Sequence, residues 1–265
     1  MTDAPAITYR SYLRLPDLLD CQTPLSDAHD ELLFISIHQA SEIWLKLCLH
    51  ELFAARDRIA ADDLPPAFKM MARVARIMAQ LIQSWEILAT MTPADYAAMR
   101  GRLGTSSGFQ SDQYRRIEFL LGNKNPAMLH PHEAEPAVHA ILSADLAAPS
   151  LYDEVLRLLA RRGFAIPPAH LERNFAVPYA PHAAVEAAWA AIYADTARHW
   201  DLYEFAEKLV DLDYRVQLWR FGHLKTVERV IGFKTGTGGT AGVGYLAKVL
   251  ETPFFPELAT MRTRL

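Results

Sequence analysis

Nearly every segment of this 265-residue chain spaces its apolar residues three and four apart, and none alternates them with the period of two that a half-buried strand needs. A chain written this way has to bury helices against helices. Asp30 to about Ala61 carries one stripe of Phe34, His38, Ser41, Leu45, Cys48 and Leu52 and a second of Leu33, Ile37 and Trp44, which predicts a long helix with a wide buried face. After the prolines of "DDLPP", Phe68, Met71, Val74, Met78, Leu81, Trp85 and Leu88 step by three and four, so a second long helix returns antiparallel to the first. Thr92-Pro93 opens a short helix that ends at Gly101, and Ser106-Ser107-Gly108 precedes another carrying Tyr114, Ile117, Phe119 and Leu120. A loop is expected between Asn125 and Pro136, a helix over "SLYDEVLRLLARRG", and a proline-rich connection from Ile166 to Pro181. The longest helical tract runs from about His182 to Phe233, is interrupted only by Gly222, and is expected to hold two long helices or one kinked one. With neither an internal repeat nor a dividing linker, the pattern predicts one all-α domain over residues 1–265, built of long antiparallel helices.

Composition narrows the function classes. A formal charge of −4 with 22% charged residues gives no reason to expect a polyanionic partner, so neither nucleic acid nor an anionic membrane is expected. No run of eighteen uninterrupted apolar residues occurs, and the first residues lack a basic segment followed by an apolar one. Cys21 and Cys48 are too few for a disulfide framework, and a cytoplasmic location is expected.

The stretch 232–244, "GFKTGTGGTAGVG", holds six of the twelve glycines. A phosphate-cradling P-loop needs a lysine directly after its last glycine, and Lys234 precedes the cluster. The relaxed dinucleotide fingerprint is met twice, but it needs a strand before it and a βαβ unit around it, and the preceding "LWRFGHLKTVERVIGF" is helical in period. The stretch either closes over a small ligand or is a mobile connection.

His38 and His223 each sit on the apolar stripe of a long helix, so both point inward. Singly, each reads as a core histidine satisfied by a carbonyl or a water. Together they also match the way helical proteins hold a haem, with one imidazole ligating iron and a second group lining the opposite side. Other metal readings fail on spacing. His50-Glu51 lacks the following histidine of a zinc protease, no histidine has Glu three residues before it, and His29-x-Glu31 and His130-Pro-His132 are isolated pairs.

Five blocks in order, "TYRSYLRL", "HDELLFISIHQASEIWLKL", "SSGFQSDQYRRIEFLLGNKNP", "LWRFGHLKTVERVIGFKTGTGGTAGVGYL" and "FFPEL", resemble the tryptophan 2,3-dioxygenase family nearly end to end. The resemblance implies helices packed around a b-type haem, active as Fe2+, that open the indole ring of L-tryptophan with O2 to give N-formyl-L-kynurenine. It implies that His223 is the proximal iron ligand and that His38 is the catalytic and substrate-contacting residue that accepts the indole N–H, with Phe34 packing on the indole. It places Arg100 on the substrate carboxylate, Thr237 on its amino-acid end, and Tyr96 and Leu103 on the pocket wall. Ser107 and Gly108 correspond to positions at the haem and substrate edge, and Trp85 to one beside the haem. Tyr9, Tyr12 and Leu13 resemble an N-terminal arm, residues 1–20, that reaches a neighbouring subunit, which implies a homotetramer built as a dimer of dimers. Residues 232–244 then form a glycine-rich active-site loop. Without the resemblance, Arg100 reads as a cation at the carbonyl end of a short helix, and Trp85 as core. The alternatives to weigh are an indoleamine dioxygenase of relaxed specificity, a haem protein that binds gas without catalysis, and a helical interaction protein without a cofactor.

Overall fold

A computed structural model of the protein describes residues 6–233 and 242–264. Among these, the regular elements are helices: α1 (Tyr9–Tyr12), α2 (Leu15–Leu19), α3 (Glu31–Ala60), α4 (Leu64–Leu88), α5 (Pro93–Arg100), α6 (Asp112–Leu121), α7 (Pro136–Ala147), α8 (Leu151–Arg161), α9 (Pro168–Leu171), α10 (Ala183–Ala194), α11 (Trp200–Val230), α12 (Val243–Leu250) and α13 (Pro256–Met261), with three short 3-10 turns. The all-α expectation holds.

Three long helices make the frame. α3 and α4 fold back on each other across a turn at 61–63, and α11 also packs along α4. The turn is tight because Asp62 takes a positive φ of 59°, and its carboxylate accepts from Arg162 Nε and Nη2. α3 buries Leu45, Cys48, Leu49, Leu52, Ala55 and Ile59, spaced by three, one and four, against the Met71, Val74, Met78 and Leu81 face of α4. Each leucine, isoleucine, valine or methionine among them contributes on the order of 1.5–3 kcal/mol on burial. α3 is also long and apolar enough, by length and composition, to cross a bilayer. Here it packs on α4, α6 and α8.

Local chemistry fixes where the helices around the cavity begin and end. Thr92 caps α5 by accepting from the Asp95 N–H, and the Asp95 carboxylate accepts from the Thr92 N–H at 2.9 Å, a reciprocal box that starts the helix where Pro93 can open it. Ser111 caps α6, and Gly122 ends it at φ 114°, with its N–H reaching the carbonyls of Glu118 and Phe119. A Cβ at 122 would meet nothing closer than Ser150 Oγ at 3.7 Å, so the backbone angle, not space, demands glycine. Gly122→Ala is therefore expected to lower stability by about 1–2 kcal/mol, read as a shift of the denaturant midpoint at unchanged slope.

Several sequence expectations need correction. The tract from His182 to Phe233 does divide into two helices, α10 and α11, but at 195–199 and not at Gly222. The Asp195 carboxylate accepts from the Arg198 N–H at 3.1 Å and turns the chain there. Gly222 lies inside α11, where Trp85 crosses so closely that a Cβ would stand 2.8 Å from its Cδ1. The loop expected between Asn125 and Pro136 contains a 3-10 helix over Pro126–His132, because the Asn125 side chain accepts from the Ala127 N–H and Pro126 presets the first turn. α7 was unmarked by a clear apolar stripe and follows directly. Trp44, expected on the buried face of α3, is 37% exposed.

Candidate active site

α3, α4, α5, α6, α11 and α12 leave a cavity among them of about 1620 Å³, counting the space at its open mouth. Phe34, His38, Trp85, Tyr96, Leu103, Ser107, Gly108 and His223 all line it. The sequence had scattered these eight over nearly two hundred positions.

His38 and Phe34 stand one turn apart on α3, with ring centroids 4.2 Å from each other. The His38 Nδ1 lies 2.7 Å from the Phe34 carbonyl oxygen. A carbonyl only accepts, so the neutral ring carries its proton on Nδ1 and keeps the Nε2 lone pair. Burial lowers the pKa of His38, opposed by that hydrogen bond and by the charge of Glu42. His223, on α11, is pushed down to about 4, first by burial and then by the nearness of His38. Both rings are neutral at pH 7. Trp85 lies flat on His223, at 4.8 Å between centroids and 13° between planes, and Trp219 stacks beyond at 6.1 Å. Ser107 caps the short 3-10 turn at Gly108–Gln110 by accepting from the Phe109 N–H, which sets the 107–108 edge of the cavity.

The sequence model of the tryptophan 2,3-dioxygenase family matches residues 2–265. The chain belongs to that family. It is 63% identical over 260 residues to a tryptophan 2,3-dioxygenase of Erythrobacter litoralis, covering 98% of this chain and 99% of the relative. A tryptophan 2,3-dioxygenase of a Polaromonas species is 58% identical over 259 residues, covering 98% of this chain and 88% of the relative. Tryptophan 2,3-dioxygenase 1 of Ralstonia nicotianae is 57% identical over 265 residues, covering 100% and 90%.

As a tryptophan 2,3-dioxygenase family member, the chain should suit a haem, and three observations bear on the fit. A neutral, lone-pair-bearing imidazole at His223 is the form that binds iron. The indole Nε1 of Trp85 is buried at the same wall without a hydrogen-bond partner. The cavity is lined mostly by aromatic and aliphatic side chains, as a porphyrin face requires. The residues present fit the group.

Other expected site residues lie elsewhere. Arg100 is not part of the cavity lining; it sits at the end of α5 with its guanidinium carbon 5.9 Å from the ring centre of Tyr96, which does line the cavity. Tyr9, Tyr12 and Leu13 are 77%, 76% and 41% exposed, and a single chain does not bring them to the cavity. Thr237, with most of the glycine-rich stretch, lies outside the described residues. Sequence reading missed Tyr114, Arg115, Glu118, Arg220 and Tyr245, all of which line the cavity. A signal existed for the charged ones. Arg115 and Glu118 share a face of α6 at spacing three, and Arg220 stands three residues before His223, on a helix whose inward stripe is otherwise apolar.

Proposed function

We propose that this protein is a haem-dependent dioxygenase that opens the indole ring of L-tryptophan. The observation that carries the reading is a pair of neutral, half-buried imidazoles, His38 and His223, lining one largely apolar cavity. His223 would hold haem b through its iron, with Trp85 fixing the imidazole plane by stacking. When bound as Fe2+, such a cofactor supplies oxygen activation, and both atoms of O2 end in N-formyl-L-kynurenine.

The chain's own groups position and shield. The Nε2 lone pair of His38 accepts the indole N–H, because Nδ1 is committed to the Phe34 carbonyl. Phe34 and Tyr96, with ring centroids 6.4 Å apart, give the indole aromatic faces to pack on. Arg100 binds the carboxylate as a two-pronged donor, Thr237 reaches the amino-acid end, and Leu103, Ser107 and Gly108 close the edge. A substrate held this way reacts from a fixed geometry with water excluded. His38 orients and hydrogen-bonds and is not required as a base. The reading extends to one domain over 1–265, a glycine-rich active-site loop at 232–244, and a cytoplasmic homotetramer in which residues 1–20, with Tyr9, Tyr12 and Leu13, reach a neighbour's site.

The test is oxygen uptake by the reduced, haem-replete protein on addition of L-tryptophan, with N-formyl-L-kynurenine as product. No uptake would leave a haem protein that binds gas without catalysis. Uptake with D-tryptophan or tryptamine as fast as with L-tryptophan would indicate relaxed specificity. His38→Ala is expected to lower turnover about tenfold to a hundredfold, the worth of one hydrogen bond to a buried partner, with haem content unchanged. Wild-type kinetics in that variant would remove its role.

A further inference from the structure

Three charged side chains in the cavity wall have no part in the reaction described above. Arg115 and Glu118 on α6 and Arg220 on α11 are 3%, 2% and 4% exposed. Glu118 accepts from Arg220 Nη2 at 2.8 Å, the Tyr114 hydroxyl at 3.1 Å, Asn123 Nδ2 at 3.3 Å, and Arg115 Nη1. Arg220 directs its other donors to the Tyr114 hydroxyl at 3.0 Å and to the carbonyls of Val249 and Thr252, each at 3.2 Å. Those two residues are mutually neutral and fully engaged.

Arg115 is not. Its Nε is buried without a hydrogen-bond partner, while its guanidinium lies over the rings of Phe109 and Tyr114 at 5.4 and 5.9 Å. Two cations share one carboxylate, so the wall carries a net buried positive charge, which a protein normally meets with a counter-ion. The other cavity carboxylate, Glu42, stands on α3 and accepts from Gln113 Nε2 at 2.8 Å. Arg115, Tyr245 and Val249 also border a second cavity of about 440 Å³, lined with Asn123, Asn125 and Lys248 and with no carboxylate among its described residues. On that second side an anion would meet Arg115 with no facing carboxylate, while on the large-cavity side Glu118 is already shared between two guanidinium groups.

The large cavity has two sources of carboxylate on the haem reading, the amino acid and the porphyrin. The triad is tied to the His223 wall, because Arg220 is on the same helix less than one turn away, whereas Arg100, Tyr96, Phe34 and His38 occupy α5 and α3. We propose that Arg115 is a cofactor-binding residue that pairs with a propionate carboxylate of the haem held by His223, its guanidinium held in place by Glu118. This rests on the haem reading. Tyr114 and Arg220 act through Glu118 and do not themselves need to touch the carboxylate.

The experiment titrates the apoprotein with haem and with haem dimethyl ester, which keeps the iron and ring and removes both charges, following the visible absorption of the bound cofactor. Wild type is expected to bind haem about ten- to hundred-fold more tightly than the ester, the worth of a charge-assisted hydrogen bond. Arg115→Gln is expected to lose that preference, with the whole loss falling on haem, and Arg115→Lys to keep part of it; far-UV circular dichroism reports whether each variant folds. Equal affinity of wild type for haem and ester overturns the proposal without any variant. A preference that survives in folded Arg115→Gln, or one that survives while the KM for L-tryptophan rises, overturns it too and leaves the haem reading standing. A wild type that binds neither form removes the haem reading itself.

Discussion

His223→Ala is expected to give a folded protein with no bound haem and no turnover. No described residue hydrogen-bonds to the imidazole, so removing it strands no buried donor or acceptor, the usual reason a polar deletion unfolds a protein. What is lost locally is the stack on Trp85, worth about 0.5–1.5 kcal/mol. The apoprotein should therefore unfold within about that margin of the wild-type apoprotein. The large difference appears with cofactor present, because a ligand that binds only the folded state stabilises it in proportion to the logarithm of its concentration over Kd. Haem should raise the thermal midpoint of wild type and leave His223→Ala unmoved, and free imidazole should restore part of the absorption band. A variant with normal haem content and turnover would end the ligand assignment.

Arg100→Leu is expected to reduce kcat/KM for L-tryptophan by roughly thirty- to several-thousand-fold, the cost of truncating one partner of a desolvated, hydrogen-bonded charge pair. The control is tryptamine, which has the indole and no carboxylate. If Arg100 serves the carboxylate, its loss should leave tryptamine turnover within a few-fold of wild type, while the L-tryptophan value collapses toward it. Arg100 also stands in the last turn of α5, where a cation offsets the carbonyl end of the helix. That contribution is about 0.3–1 kcal/mol and would appear in stability, equally for both substrates. Equal losses on L-tryptophan and tryptamine would assign Arg100 to the helix and not to the substrate.

The long helices were legible because their apolar spacing persists over 30, 25 and 31 residues in α3, α4 and α11. For the same reason His38 and His223 stood out, since a titratable ring on an apolar stripe is conspicuous. α7 was not legible: its alanines leave apolar residues on every side and no stripe to read. The division of α10 from α11 depends on one side-chain hydrogen bond at Asp195, and Gly222, which interrupts the helical period, answers to a contact with Trp85, distant in sequence. Arg115 and Glu118 look like any surface pair at spacing three until the fold buries them. Arg100 and the N-terminal tyrosines came only from family resemblance: Arg100 stands beside Tyr96 at the cavity wall, while the tyrosines are exposed in a single chain.

Both imidazole-bearing helices take their position from α4, on which α3 and α11 both pack. α4 thus acts as a common datum from which both walls are measured. Any change in its girth displaces the two histidines in step, so the gap between them is gauged by residues such as Met78 and Leu81, which touch neither ring's chemistry. Loosening α4 would widen the site as a whole and would not release one histidine while holding the other.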